Sequence, residues 1–433
     1  MLRHETKKGR TSQMSRQTGA RPAVAGTGLA ITGCGVGHSP THAGFDAVEV
    51  FAGELPRHVR RQWLELCGRA FATPFQHPDW LDDWQSHIGN AGNATPVTVC
   101  CYRGGELVAL LPLARYSKWG LRWLGWRASH VNDYCAPVIL PETASFLTSD
   151  RVIALLARAA EAVGGIGLVY LTKQPTHLGA MPNGFVLPGS QAHHAGVHAI
   201  RLGPDWDTYY SAQRSGKSRR RLKTKAVALH KLGPVVFRFA RTGREKADMA
   251  AHCIDLKARQ LQRLGHWHPF RDERVKRLLV AHAEKDLDGR FWAASLDAGQ
   301  PAAAIAFGFT GPQTWLLYQM AMADGPAAQH SPGIYLLHEL MRHCIASGVS
   351  RLDLSLGDEP YKFDWCNEHG QLMSSVVAMS PAGHLAAAAI RARSAAYMKI
   401  GGNPLAYEFG KQAKAALLNA GARARALLPA RSR

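Results

Sequence analysis

The stretch FWAASLDAGQPAAAIAFGFTGPQTWLLYQMAMADGPAAQHSPGIYLLHELMRHCIASGVSRLDLSLGDEPYK, residues 291–362, decides how this chain reads. It opens with three apolar-rich runs, FWAASL, PAAAIAFGF and TWLLYQMAMA, parted by the turns DAGQ and TGPQ. That spacing predicts an antiparallel meander. After a loop, Gly333 opens a helix directly behind Ser331-Pro332. Ile334, Leu337, Met341 and Cys344 recur at helical intervals, and Gly348 supplies the stop. Leu352, Leu354 and Leu356 then alternate with Asp353 and Ser355, the period of a strand.

The order strand, Gly-containing corner, helix has a chemical consequence. The first N–H groups of a helix have no partner within it, and the positive end of the helix dipole adds to them. Together they form an anion seat suited to a diphosphate. His330, Ser331, Pro332, Gly333 and Ile334 are therefore the candidate donor-binding residues, with an ordinary turn as the alternative.

Outward from this stretch the pattern repeats. VTVCCY (97–102), the turn RGGE and LVALLPLAR (107–115) correspond to the first two runs of the meander. A further strand is expected at 121–126, and the helix at 151–163 with the strand at 167–172 corresponds to the helix at 334–347 with the strand at 351–356. The repeat lies in pattern rather than residue identity, and it predicts two similar α/β domains in tandem. PETASFLTSD precedes the first helix without a Pro-Gly corner, so only the second copy is expected to seat a donor. The first would be structural or would wall an acceptor cleft between the domains. The expected division is 1–45, a disordered basic and Gly-rich tail; 46–203, the first domain; 204–383, the second; and 384–433, an Ala/Arg-rich helical tail.

Between them, residues 214–231 carry eight Lys/Arg and no acid. They read as the helix opening the second domain. Arg219 and Arg220 are candidate substrate-binding residues for a phosphorylated acceptor, CoA or an RNA-borne donor; a solvated basic face is the alternative. No aromatic residue lies within 211–233 to stack on bases.

These pieces resemble a known family. H-S-P-G at 330–333, D-L-S-L-G-D-E at 353–359, Y-K at 361–362 and S-G-K-S-R-R-R-L-K at 215–223 are similar to the acyl-CoA-binding half of GNAT acetyltransferases. The likeness is to the CelD/BcsL-like (BioF2-like) branch, related to the FemABX aminoacyl transferases. It covers residues 50 to 385. The resemblance implies two tandem GNAT-like domains, each a mixed, mostly antiparallel sheet flanked by helices, plus a C-terminal helical extension. It implies acetyl-CoA or another acyl-CoA as donor, and a setting in envelope or exopolysaccharide (cellulose) metabolism. For Lys362 it implies a place in the site, on a phosphate or the acceptor's carboxylate. The GNAT phosphate loop normally has two glycines, and here it has one.

Direct acyl transfer needs a proton acceptor, a stabilised oxyanion and a managed leaving group. No G-x-S-x-G is present, so a covalent intermediate is not expected. Asp353, Asp358 and Glu359 are candidates for proton removal, and Tyr361 for protonating the thiolate. A strand-edge hydrogen bond for Asp353, loop capping for Asp358 and Glu359, and packing for Tyr361 are the alternatives. His266 and His268 have no third ligand at a recognisable spacing, and no metal site is expected.

Composition sets outer bounds. With 433 residues and 46% hydrophobic content, the chain can bury a sizeable core. A net charge of +20 favours anionic partners without choosing among them. The eight cysteines include no C-x-x-C, which predicts reduced thiols and a cytoplasmic protein. Ile31-Thr32-Gly33-Cys34 has the form of a lipoprotein box, but its upstream stretch is a poor signal core. The basic tail is expected to be a solvated helix or a contact for an anionic membrane. The expected function is an acyl-CoA-dependent N- or O-acyltransferase acting on a small or glycan-linked amine or hydroxyl. The alternatives are an aminoacyl-tRNA-dependent transferase and a non-catalytic basic interaction protein.

Overall fold

A computed structural model describes residues 44–264, 269–286, 289–311 and 313–401, with side chains to 396. The expected N-terminal tail, the lipoprotein box, His266, His268 and the tail beyond 401 lie outside the described residues.

The first half runs β1 (Ala47–Ala52), α1 (Arg57–Arg69), α2 (Pro78–Trp84), β2 (Thr95–Arg103), β3 (Glu106–Lys118), β4 (Leu121–Trp126), β5 (Val138–Ile139), α3 (Pro141–Ala144), α4 (Ser149–Val163) and β6 (Leu168–Pro175). The short pair β7 (His177–Leu178) and β8 (Met181–Pro182) leads to β9 (Gln191–Arg201). The second half runs α5 (Trp206–Gln213), α6 (Gly216–Leu232), β10 (Val235–Phe239), α7 (Gly243–Arg263), α8 (Glu273–Lys285), β11 (Phe291–Ala298), β12 (Ala304–Phe309) and β13 (Thr314–Met322). It ends with α9 (Pro332–Ala346), β14 (Arg351–Leu356), α10 (Pro360–Trp365), β15 (Glu368–Ala378) and α11 (Pro381–Gly401).

The predicted meander is β11-β12-β13, antiparallel throughout, and β2-β3-β4 is its counterpart. In each half a helix then returns the chain to a parallel strand, β6 beside β4 and β14 beside β13. A helix pair joins the edge strand to the meander in both halves, α1-α2 after β1 and α7-α8 after β10. All of this belongs to one sheet, ordered β1-β2-β3-β4-β6-β15-β9-β14-β13-β12-β11-β10.

Its centre holds an exchange. β9, at the end of the first half, pairs with β14 of the second, while β15, at the end of the second, pairs with β6 of the first. β9 and β15 also pair with each other. Each half is thus completed by the other's last strand.

Alternation along the strands sends side chains to two cores. Leu296, Ala304, Ala306, Leu317, Leu352 and Leu354 face α9 and pack on Leu336, Leu337 and Met341. Ala293, Ile305, Phe307, Phe309 and Leu316 face the other way, onto Ala250, Cys253 and Ile254 of α7. Burying a side chain of Leu or Phe size is worth roughly 1.5–3 kcal/mol, so this double alternation fixes the register. Capping follows the sequence: Thr148, Asp205, Ser215 and Thr242 each accept a backbone N–H at a helix start. Cys67, Cys100, Cys101, Cys135, Cys253, Cys344 and Cys366 are free thiols. Among the described residues no helix is long and apolar enough to cross a membrane.

Candidate functional site

The parallel pairing of β13 with β14 lasts only from Thr314–Arg351 to Leu316–Asp353. Beyond it the strands part. β14 also carries a bulge against β9 between Asp353 and Leu356, with Ser355 at φ +62°. The result is a gap in the sheet, with one cavity on each face.

On the α9 face lies a cavity of about 460 Å³. Gly216, Arg219, Arg220, Lys223 and Lys225 of α6 line one side, and His330, Ser331, Ile334, Tyr335 and His338 the other. The fold brings the basic helix and the start of α9 together. Lys225 Nζ donates to Ser331 Oγ at 2.6 Å. His338 Nε2 is buried without a hydrogen-bond partner, and burial pushes its imidazole down to about 4.

The corner differs from a bare amide seat. Ser331 adopts the left-handed conformation, φ +59°. Its O accepts from Ile334 N at 3.0 Å and Tyr335 N at 3.3 Å, while Ser331 N donates to Ala328 O. Pro332 has no N–H. Only the Gly333 amide is left over from this turn, and Gly333 is buried, with Met322 where a Cβ would stand. The positive charge at this cavity comes from the α6 cations and the helix dipole rather than from a row of amides.

On the opposite face a cleft of about 1670 Å³ lies between the halves. Arg60, His77, Asp79 and Asp82 line it from the first half; Lys285, Arg290, Gln313, Arg351 and Asp353 from the second. Side chains cross it. Asp83 of α2 accepts from Lys285 Nζ at 2.6 Å and pairs with His282 Nδ1 at 2.8 Å. Although burial opposes it, these two bonds hold the Asp83 carboxyl below its usual range. Arg290 pairs with His77, whose imidazole burial and that guanidinium push down to about 4.

Asp353, 5% exposed, sits at the end of the parallel pairing. Its carboxylate accepts from Tyr134 Oη at 3.0 and 2.9 Å, Arg351 Nη1 at 2.9 Å and Ser355 N at 2.7 Å. Few lone pairs remain for a substrate proton. Ser355 Oγ, across the bulge, donates to Asp133 Oδ2 at 2.7 Å. Burial pushes the Asp133 carboxyl above its usual range, against the pull of nearby Lys173. The sequence reading missed Asp133 and Tyr134, which lie in the loop after β4.

The remaining candidates stand apart from this centre. Asp358 Oδ1 accepts from Gly196 N at 3.0 Å and pairs with His198 Nε2 at 2.8 Å; His198 Nδ1 in turn lies 2.8 Å from His369 Nδ1. Tyr361 packs on the α9-side core, where burial pushes its phenol well up. Lys362, 3% exposed, points Nζ at Ser355 O, Leu356 O and Glu359 Oε2, at 3.2, 2.9 and 3.0 Å. All three of its N–H bonds are thus used to hold the end of β14. Glu359 caps α10 through its backbone alone.

No curated protein sequence matches the chain. Among solved structures, FemX is similar at 8% identity, over 74% of this chain and 96% of its own, with a TM-score of 0.48. A tandem GNAT protein from the clavulanic acid biosynthesis pathway is similar at 14%, over 77% and 99%, with a TM-score of 0.41. L-PGS from Bacillus licheniformis is similar at 13%, over 75% and 96%, with a TM-score of 0.42. Residues 216–363, from the first residue of α6 into α10, match the family model described as an acetyltransferase (GNAT) domain, and that span takes in both the basic helix and the parted strands.

Proposed function

We propose that the protein is an acyltransferase that seats an acyl-CoA against α6 and α9 and an amine or hydroxyl acceptor in the cleft between the halves. The observation that carries this reading is the short parallel pairing of β13 and β14, which ends at Leu316 and Asp353, residues that line the cleft, while the basic cavity lies at the start of α9. A thioester entering from the α9 side reaches the acceptor through that gap. The CoA phosphates meet Arg219, Arg220, Lys223 and Lys225, which line the smaller cavity.

In the transfer, the acceptor nitrogen or oxygen attacks the thioester carbonyl. The new C–N or C–O bond forms as C–S breaks. Asp133 takes the acceptor's proton, its carboxyl pushed above the usual range by burial. Residues 317–322 of β13 pair with β12 on one edge only. N–H groups of the other edge stabilise the carbonyl oxygen as it becomes negative. The coenzyme leaves as its thiolate and takes its proton from water. Asp353 orders Tyr134 and Ser355 around the reacting atoms rather than accepting the proton itself.

A second reading, transfer from a charged tRNA, is favoured by the exposed cations of α6 that lie outside the cavity, Lys217, Arg221 and Lys231. They exceed what one diphosphate needs and suit a longer polyanion. Thermal unfolding decides between the two. Acetyl-CoA or a longer acyl-CoA should raise the Tm. Arg220 is exposed on the basic cavity, and Arg220→Glu should remove that shift while leaving the Tm of the free protein unchanged. Salt-sensitive tRNA binding without stabilisation by any acyl-CoA would replace the first reading with the second.

A further inference from the structure

The tip of the β3–β4 hairpin carries a residue that the site does not use. Trp119 is 93% exposed, the largest apolar side chain on the described surface and the most open. It stands between Lys118 and Gly120 in a two-residue turn in which both central residues have positive φ, +51° and +79°. Such turns are built for Asn-Gly or Gly-Gly. A bulky side chain in the left-handed region is strained. Trp119 is thus uncomfortable twice over, in its backbone and in its hydration. Among the described residues the ring contact recorded for it is the Lys118 ammonium, 4.4 Å above the ring.

The surroundings are cationic. Residues 107–132 contain no Asp or Glu, and Lys118 and Arg122 at the tip are exposed. Further down the hairpin Tyr116 and Trp123 stack at 5.5 Å, so aromatic rings continue below the tip. The start of α11 lies close to the same tip. Gly383 packs on Gly167 O, and Gly167 N donates to Arg122 O at 2.9 Å. Two residues on, Leu385 is 77% exposed, and α11 has no acidic residue.

We infer that this corner docks on an anionic lipid surface. A convex tip with one fully open tryptophan suits the headgroup layer, where the indole buries its rings and keeps its N–H wet. Lys118 and Arg122, with Arg391 and Arg393 of α11, meet the negative headgroups, at a gain that salt screens. Leu385 adds a second apolar contact beside the first. A protein partner would instead bury a cluster of side chains, whereas Trp119 at the tip is flanked by Lys118 and Gly120.

The test is flotation of the full chain with vesicles of phosphatidylcholine alone and of phosphatidylcholine with 30% phosphatidylglycerol, an amount set for the assay on the order of natural anionic leaflets. Binding to the anionic vesicles that falls with added salt is expected, with about tenfold weaker binding for Trp119→Asn. Asn is at home in the left-handed turn, so this variant should fold with an unchanged or higher Tm. The proposal is overturned if neither vesicle binds, if both bind equally, or if Trp119→Asn floats as well as the parent. A loss of self-association in Trp119→Asn, with vesicle binding intact, would assign the tip to protein contacts instead.

Discussion

Asp133 and Asp353 show how differently two carboxylates can be used a few ångströms from one serine. Asp353 receives donors from Tyr134, Arg351 and the Ser355 amide, so it holds geometry. Asp133 receives the Ser355 hydroxyl and otherwise bears the cost of burial. Asp133→Asn should lower kcat by about 10²–10⁴, the usual range for a lost general base. In the parent the rate should climb with pH through a pKa above that of an ordinary carboxylate, and this limb should vanish in the variant. Stability moves the other way. A carboxyl whose folded pKa is raised gives its full stabilisation below the unfolded pKa and loses it as pH rises through the folded value. At neutral pH Asp133 is therefore a burden, and Asp133→Asn should keep or raise the Tm. A fall in both rate and Tm would make Asp133 merely structural. Asp353 was legible in the sequence because it interrupts an alternating strand. Asp133 was not: its serine partner lies 222 positions away, and nothing local marks the pairing.

Among the elements, α6 and α9 were foreseen to within a few residues, since charge run and apolar period both survive folding. Their meeting was foreseen only as a shared task. The corner between β13 and α9 was read as a row of amides facing a ligand. The structure closes it instead through Ser331, whose left-handed backbone turns Ile334 N and Tyr335 N inward. A serine gives no warning of such a conformation, whereas a glycine would have. Lys225, bonded to Ser331 Oγ, becomes the link between the two helices. Arg219→Glu with Lys223→Glu should weaken donor binding by more than tenfold and reduce its salt dependence, measured by titration calorimetry at two ionic strengths. An unchanged affinity would move the donor away from this cavity. Gly333→Leu tests the element differently: its Cβ would press on Met322 Cγ and Sδ at 3.1 Å, so a loss of stability, read as a lower Tm, should accompany any loss of donor binding.

At the scale of the molecule, the repeated order of strands and helices was visible in the sequence, and the crossing of β9 and β15 was not. β9 reads QAHHAGVHAIR and β15 EHGQLMSSVVA; histidines and glycines blur their alternation, and their partners are distant. Pairings such as Asp83 with Lys285, and Tyr318 Oη with Val131 O at 2.7 Å, then weld the halves along the cleft. Either segment expressed alone, 44–203 or 204–401, lacks the neighbour that completes its sheet and exposes an open strand edge. Each should aggregate, and the intact chain should melt in a single transition. Two separate melting transitions would contradict this.

Mutual completion also has a use at the bench. Because what each piece lacks is carried by the other, a break in the backbone between β9 and α5 costs only loop closure. Two polypeptides made together in one cell should therefore find each other and reconstitute activity, a split reporter that the molecule's own architecture supplies.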